Sequence, residues 1–298
     1  MEILVFGAGS LGSLLGGLLA RSHEVTLVGR DPHMRAVKEG GLRLSGHIEA
    51  TAHPSARLDP PESADLAVVC VKSFDTGTAA KALADCDIDA CLSVQNGMGN
   101  EAILGERLDA AIVAGTCTYG AIRTEPGTVR CTGVGELVVG PPAGGTSTVA
   151  DRVGSAFEAA SVVTTVADDM PRRLWEKLAV NAGINATTAL ARIENGAVLG
   201  GDAGSVATAA AHETAELAQR VGVDLSGRAA ERAIERVADA TAANTSSMLQ
   251  DVSEGRRTEV DAINGYVVER AGDHAVDVPV NRTLAGLVRA WEAGRGLR

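Results

Sequence analysis

The sequence predicts an α/β protein in which a parallel-sheet domain is followed by an all-α C-terminal domain. Three observations carry this. Residues 2–29 run as an apolar stretch, a glycine-rich turn, an amphipathic stretch and a second apolar stretch, which is the βαβ unit of a parallel sheet. Short apolar runs then recur as far as about residue 167. From about residue 168 the strand signals stop, and long alanine-rich amphipathic segments take over. The expected domains are therefore residues 1–167 and 168–298.

In order, "EILVF" at 2–6 is the first strand and ends in glycine. Leu11, Leu14, Leu15, Leu18 and Leu19 then line one side of a helix. "EVTLVG" at 24–29 is a second strand. "ADLAVVCV" at 64–71 is an unbroken apolar run, as expected of a central strand covered on both faces. "ACLSVQ" at 90–95 and "AAIVAGTCTYG" at 110–120 read as further strands. "GTVRCTG" and "GELVVGPP", separated by turn residues, read as a hairpin. Residues 147–160 read as a helix and "SVVTTVA" as a closing strand. Helices are then expected over 169–190, 202–221, 226–252 and 258–272. Asp277-Val278-Pro279-Val280 breaks the pattern before a last helix at about 281–293.

Composition narrows the function classes. Hydrophobic residues make up 45% of the 298-residue chain but aromatic residues only 2%, so the core is expected to be aliphatic and alanine-rich. No apolar run reaches the ~18 residues of a membrane span, and "MEILVF" lacks the basic lead of a signal peptide. A cytoplasmic location is expected. The five cysteines form no Cys-x-x-Cys pair, which suggests neither a disulfide framework nor a zinc site. His212-Glu213 begins like a zinc motif, but no second histidine follows at the required spacing, so no metal is expected. A net charge of −11 argues against nucleic acid and anionic membranes as partners. An acidic protein that takes an anionic ligand must concentrate its cations locally, which draws attention to Arg30, Lys72 and Lys177.

"GAGSLG" places Gly7, Gly9 and Gly12 in the G-x-G-x-x-G spacing, after a strand and at the opening of a helix. The first glycine allows a tight turn, the second a close approach to a pyrophosphate, and the third close helix–strand packing. The helix N-terminus then presents free N–H groups to phosphate. This reads as a Rossmann-like dinucleotide-binding domain. Sites selective for NAD usually carry an acid at the end of the second strand. Here the strand ends Val28-Gly29-Arg30, and a guanidinium suits the 2′-phosphate of NADP. Asp31 comes one residue late and fits a helix cap. Lys72 and Asn96 follow strands and so lie near the ligand crevice of such a sheet, although a solvated strand end and a turn asparagine explain them equally.

"LWEKLAVNAGIN" at 174–185 is mostly apolar, yet Lys177, Asn181 and Asn185 interrupt it every four residues. They advance ~40° per step and form one narrow polar stripe on a helix. Taken alone, the stripe fits a wet surface face as well as it fits an active-site wall. In the second reading Lys177 polarises and protonates a substrate carbonyl, and the amides bind substrate or hold the lysine. A further polar set follows. "NTSSMLQD" puts Asn244, Ser246 and Ser247 near the end of one helix. After a break, Glu259 falls in the first turn of the next.

These blocks resemble the ketopantoate reductase (2-dehydropantoate 2-reductase) family over essentially the whole chain. The resemblance rests on "GAGSLG", "VKSF", "QNGMGN", "LWEKLAVNAGIN", "NTSSMLQDV" and "RTEVDAINGY". It implies NADPH-dependent reduction of the 2-keto group of 2-dehydropantoate to (R)-pantoate, in pantothenate and coenzyme A biosynthesis. By the same resemblance Lys177 matches the general acid, and Asn96, Asn181, Asn185, Asn195, Asn244, Ser247 and Glu259 match the substrate site. The cofactor positions are Gly7, Ala8, Gly9, Ser10, Leu11, Gly12, Arg30, Lys72, Asn96 and Ala121, with Glu259 bordering the nicotinamide end. Ala186 stands where the family often has proline, which is expected to change the helix end. Two other readings stay open: a reductase of another 2-keto acid, and a non-catalytic NADP-sensing module. The alanine-rich helical half is a candidate surface for a homodimer.

Overall fold

The computed structural model describes residues Met1–Arg298, which pack as two compact units. The first comprises Met1–Gln95 and Gly99–Met170, the second Asn96–Met98 and Pro171–Arg298. No helix is long and apolar enough to cross a membrane.

The first unit is built on an eight-stranded sheet. Strand β1 (Glu2–Phe6) leads through the glycine turn into helix α1 (Ser10–Leu19) and back to β2 (Glu24–Val28). Helix α2 (His33–Gly40) and the short strands β3 (Leu42–Gly46), β4 (Ala50–Ala52) and β5 (Ser55–Arg57) follow. Then come β6 (Ser63–Val69), α3 (Thr76–Leu83), β7 (Asp87–Ser93), α4 (Asn100–Gly105) and β8 (Ala111–Cys117). Six parallel strands lie in the order β5-β2-β1-β6-β7-β8. That is the 3-2-1-4-5-6 order of a doubly wound dinucleotide sheet, whose switch point falls between β1 and β6. Leu66, Ala67, Val68 and Val69 of β6 are all buried, as their unbroken apolar run requires of a strand covered on both faces.

Two expectations are corrected here. The run at 110–120 is not one strand: β8 ends at Cys117, and β9 (Gly120–Glu125) starts a new one. "GTVRCTG" and "GELVVGPP" are not a hairpin. The first is β10 (Thr128–Gly133), which pairs antiparallel with β9 and parallel with β3 in a separate four-stranded sheet. The second is β11 (Leu137–Gly140), which runs antiparallel to β8 on the main sheet. The real hairpin is β9–β10, turning at Pro126-Gly127, where Gly127 has φ +80°. Helix α5 (Thr148–Ala159) and β12 (Thr164–Val166) complete the unit.

His33 ties the two sheets together. Its ring is 2% exposed. Nδ1 accepts the Gly127 N–H at 2.9 Å, which leaves Nε2 as the donor to Ser13 Oγ of α1 at 2.9 Å in the neutral ring. Burial, assisted by the charge of Arg123, pulls its pKa down from 6.5 to about 4. The unfolded chain therefore binds the extra proton first. The stabilisation is complete above pH 6.5 and drains away as pH falls toward 4, about 3 kcal/mol in all. Urea midpoints measured between pH 4 and 7 are expected to fall with acid more steeply for the parent than for His33→Gln. Parallel pH profiles would show that His33 does not titrate on unfolding.

The second unit is helical: α6 (Met170–Ala191), α7 (Gly201–Arg220), α8 (Gly227–Ala240), α9 (Ser247–Ser253), α10 (Tyr266–His274) and α11 (Pro279–Ala293). Helix α6 continues through Ala186 to Ala191. Small side chains let the helices approach closely: Ala182, Ala186, Ala207, Ala210, Ala211 and Ala215 are all at most 0% exposed. The helix expected over 226–252 is corrected to two. Residues 241–246 leave the helix, and Ser246 caps α9 by accepting the Leu249 N–H at 3.1 Å.

A buried polar girder sets the geometry of this unit. Glu213 on α7 accepts the N–H groups of Val280 and Asn281 at 2.8 and 2.9 Å, capping α11. Asn281 Nδ2 also reaches the Ala210 carbonyl at 2.9 Å, and its Oδ1 accepts from Asn264 at 3.0 Å. Asn264 Nδ2 in turn donates to the Ala182 carbonyl of α6 at 3.0 Å. The girder fixes the π-helical turn Asp261–Gly265 against the middle of α6.

Candidate active site

In the first unit the C-terminal ends of the parallel strands carry the cofactor candidates. Gly7 follows β1 with φ +103°, and its N–H and that of Ala8 both bond the Val28 carbonyl of β2 at 3.0 and 2.9 Å. A Cβ on Gly7 would lie 2.7 Å from the Val71 amide nitrogen, and one on Gly12 would strike the Gly7 carbonyl. Gly9 differs, because its Cβ would meet nothing closer than Gly7 O at 4.0 Å. Two glycines therefore close the turn and the middle one leaves open approach above it. Helix α1 starts there with no side-chain cap and no acid in its first turn. This cradle fits a pyrophosphate.

Beside the cradle, Ser10 Oγ accepts the Arg123 N–H at 3.0 Å, which brings β9 and its Ala121 alongside the start of α1. Leu11 is half-buried and packs on the core of this unit. Arg30 is largely exposed and makes a 3.5 Å ion pair with Asp75, the kind of surface pair that is worth little. Asp31 is not a helix cap: its carboxylate pairs with Arg35 at 3.1 Å, and the cap position of α2 is Pro32.

Lys72 sits at the end of the loop after β6 and is half-buried. The loop rests on a buried amide network with no sequence signature. Gln95 Nε2 donates to the Val71 carbonyl at 3.1 Å and to Thr76 Oγ1 at 2.7 Å. Thr76 donates on to Asn100 Oδ1 at 2.8 Å.

In the second unit, α6 resolves the ambiguity of its polar stripe in part. Lys177 and Asn181 are half-buried, and Asn185 is only 6% exposed. The flanking Leu178, Val180 and Ile184 are buried at 2%, 7% and 3%. The stripe thus descends from the surface into the core, unlike a solvated helix face. Thr188, which the spacing-of-four reading passed over, continues it, at about 20° from Lys177 around the helix. Its hydroxyl bonds the Ile184 carbonyl at 2.7 Å and Ser246 Oγ at 2.7 Å.

That contact brings the α8–α9 break to the buried end of the stripe. Asn195 joins it: its N–H donates to the Asn244 carbonyl at 2.9 Å and its Nδ2 to Thr241 Oγ1 at 3.0 Å. Asn195 is 7% exposed and its Oδ1 is buried with no partner, which costs ~1–3 kcal/mol to leave bare. Ser247 and Asn244 are exposed. Correcting the sequence expectation, Ser246 is the cap and Ser247 the first residue of α9, not the end of a long helix.

Glu259 is 6% exposed and precedes the π-helical turn. Its Oε2 accepts from Asn96 Nδ2 at 3.3 Å. The Met98 N–H donates to the Ala262 carbonyl at 3.0 Å, holding the Asn96 segment in place. Two candidates 163 residues apart in sequence are thereby paired. No group of three or more His, Cys, Asp or Glu side chains is arranged to hold a metal.

The chain matches two family models: "Ketopantoate reductase PanE/ApbA" over residues 3–144 and "Ketopantoate reductase PanE/ApbA C terminal" over residues 169–292. It is 47% identical to a 2-dehydropantoate 2-reductase of Halobacterium salinarum, across 97% of this chain and 98% of that one. A solved PanE/ApbA family ketopantoate reductase from Ralstonia eutropha JMP134 is 34% identical, with TM-score 0.91 over 99% of this chain and 100% of the other. A D-mandelate dehydrogenase solved with NADH and anilino(oxo)acetate superposes with TM-score 0.93, covering both chains fully, at 23% identity. That last likeness is one of fold alone.

Proposed function

The chain belongs to the ketopantoate reductase family, a family of nicotinamide-nucleotide-dependent reductases, and on that premise we propose that it reduces 2-dehydropantoate to (R)-pantoate with NADPH. The observation that carries the reading is the stripe Lys177–Asn181–Asn185, which sinks into the core of the unit in which buried Glu259 pairs with half-buried Asn96. A surface helix has no use for such a gradient, whereas a pocket wall does.

The residues divide the work as follows. A nicotinamide cofactor, when bound, would supply a hydride to the keto carbon. Gly7, Gly9 and Gly12, with the first N–H groups of α1, would hold its pyrophosphate, and Arg30 would meet the 2′-phosphate. Negative charge grows on the keto oxygen as the carbonyl is reduced. Lys177 Nζ stabilises that charge and delivers a proton to the oxygen. Glu259 is an acceptor for the substrate hydroxyl or for the ammonium of Lys177, because a carboxylate cannot stabilise an oxyanion. Asn181, Asn185 and Ser247 supply donors for the substrate carboxylate.

One assay tests this. 2-Dehydropantoate is expected to be reduced with kcat/KM roughly 10- to 100-fold above 2-oxoisovalerate, which lacks the hydroxyl and leaves a buried acceptor unpaired. Equal turnover of the two acids would overturn the substrate assignment. NADPH is expected to outperform NADH, and Arg30→Ala to raise the KM for NADPH about tenfold while sparing NADH. A parent enzyme that prefers NADH would overturn the cofactor assignment, and an Arg30→Ala enzyme with an unchanged KM for NADPH would remove Arg30 from the 2′-phosphate site. Tight nucleotide binding without turnover of either acid would favour a sensing module.

A further inference from the structure

We propose that Thr258 and Glu292 are positioning residues that hold the Glu259 carboxylate in its working place without touching substrate. This rests on the role for Glu259 given above.

Glu292 on α11 is 0% exposed, and Thr258 is 1% exposed. Glu292 Oε1 accepts two hydrogen bonds from Thr258, one from its N–H and one from its hydroxyl, both at 2.7 Å. Glu292 Oε2 takes Arg298 Nη1 at 2.8 Å. The Thr258 hydroxyl also accepts the Val260 N–H at 3.2 Å. The backbone is thus gripped on both sides of Glu259. One residue further, Asp261 is held by Arg289 Nε at 2.9 Å and by Arg298 Nη2 at 2.6 Å. Burial pushes the Asp261 carboxyl up, but the hydrogen bonds from Arg298 and Arg289 hold it net below its usual range, as expected of a fixed, ionised anchor.

A fully buried carboxylate is a costly way to dock a helix. Breaking even against a well-packed apolar side chain is the usual outcome for such groups. Helix α11 already buries Leu284, Ala285 and Val288, so docking alone does not call for a charge at 292. What Glu292 adds is direction. Its two bonds fix the orientation of Thr258, and a catalytic carboxylate must be held to within about 0.5 Å by neighbours that are themselves locked. Between these anchors, Glu259 Oε2 accepts from Asn96 Nδ2 at 3.3 Å. The segment is therefore anchored through Thr258 and Asp261, which flank Glu259 in sequence and fix the backbone that carries it.

The test is a double-mutant cycle on the full-length enzyme, with thermal melts as a folding control. Thr258→Val is expected to lower kcat/KM for the keto acid by about 10- to 100-fold, through misplacement of a reacting group, with nucleotide affinity unchanged. Thr258→Ser, which keeps the hydroxyl, should restore most of the loss. In a Glu259→Gln background, Thr258→Val should cost nothing further, because the carboxylate it positions is already gone. Additive losses in the cycle, or an active Thr258→Val enzyme, would overturn the positioning role while leaving the Glu259 reading intact. A Glu259→Gln enzyme that turns over like the parent would overturn both. Should Thr258→Val not fold, Glu292→Gln carries the same cycle: it removes the charge that grips Thr258 and Arg298, and the same non-additivity is expected.

Discussion

Lys177→Ala is expected to lower kcat for keto-acid reduction by between about 10²- and 10⁴-fold, the usual contribution of a positioned general acid. Both kcat and kcat/KM should fall together, because the interaction matters most once charge has built up on the keto oxygen. Nucleotide binding should be untouched, since the glycine cradle belongs to the other unit. The substitution is a fair test of chemistry and not of folding: Lys177 is half-buried on the long helix α6, where alanine is the best helix former. Lys177→Arg separates the two tasks assigned to the ammonium. Arginine keeps the positive charge but does not give up its proton in a protein. It should recover part of the electrostatic stabilisation and little of the proton transfer, so its rate should fall between parent and alanine. Steady-state kinetics with 2-dehydropantoate, beside a fluorescence titration of NADPH, measure both effects. An alanine variant that keeps a parental kcat would remove Lys177 from the mechanism.

The parts of the fold that were legible in sequence are those whose signal is local. The unit β1–α1–β2 is written in an apolar run, a glycine spacing and a leucine face within 27 residues (Glu2–Val28), and β6 in one uninterrupted apolar stretch. The misread elements are those decided by partners far away. β10 and β11 look alike as strands, but β10 leaves the main sheet because β3, over 80 residues earlier, offers it a parallel edge. The break between α8 and α9 lies in Thr241–Ser246, whose threonines, asparagine and serine suit a cap but follow directly on an alanine-rich helical pattern. It becomes intelligible only when Thr188 of α6 is seen to bind the Ser246 hydroxyl, 58 residues on, that caps α9. The stretch with β3, β4 and β5 gave no strand reading because its strands are short and half-exposed. The same division runs through the site. The spacing of Lys177, Asn181 and Asn185 is a local fact, but its descent into the core is not. Glu292 reads as an ordinary acid near a helix end, and nothing local announces that it holds Thr258 across 34 residues.

Alanine at Gly9 and alanine at Gly12 should damage the protein in two different ways, and the difference tests whether the turn holds a dinucleotide. At Gly12 a Cβ runs into the Gly7 carbonyl and comes within 3.0 Å of Cys70 Cβ. Both obstacles are part of the folded frame, since Gly7 is pinned by its bond to Val28 and Cys70 continues β6. Overpacking of this kind costs typically 1–3 kcal/mol, and relief requires the turn to open. Gly12→Ala should therefore lower the melting temperature and weaken nucleotide binding together, the latter by roughly 5- to 150-fold if the strain is spent on reshaping the turn. At Gly9 the added Cβ has open space, with Gly7 O at 4.0 Å as its nearest neighbour. Gly9→Ala should melt like the parent. Yet the second glycine of this spacing is where the backbone must approach the pyrophosphate, so the methyl group stands where the ligand belongs. Loss of NADPH binding without loss of stability is the expected signature. A Gly9→Ala protein that binds NADPH as tightly as the parent would mean that the open face above this turn is not where the phosphates lie, whatever the glycine spacing suggests.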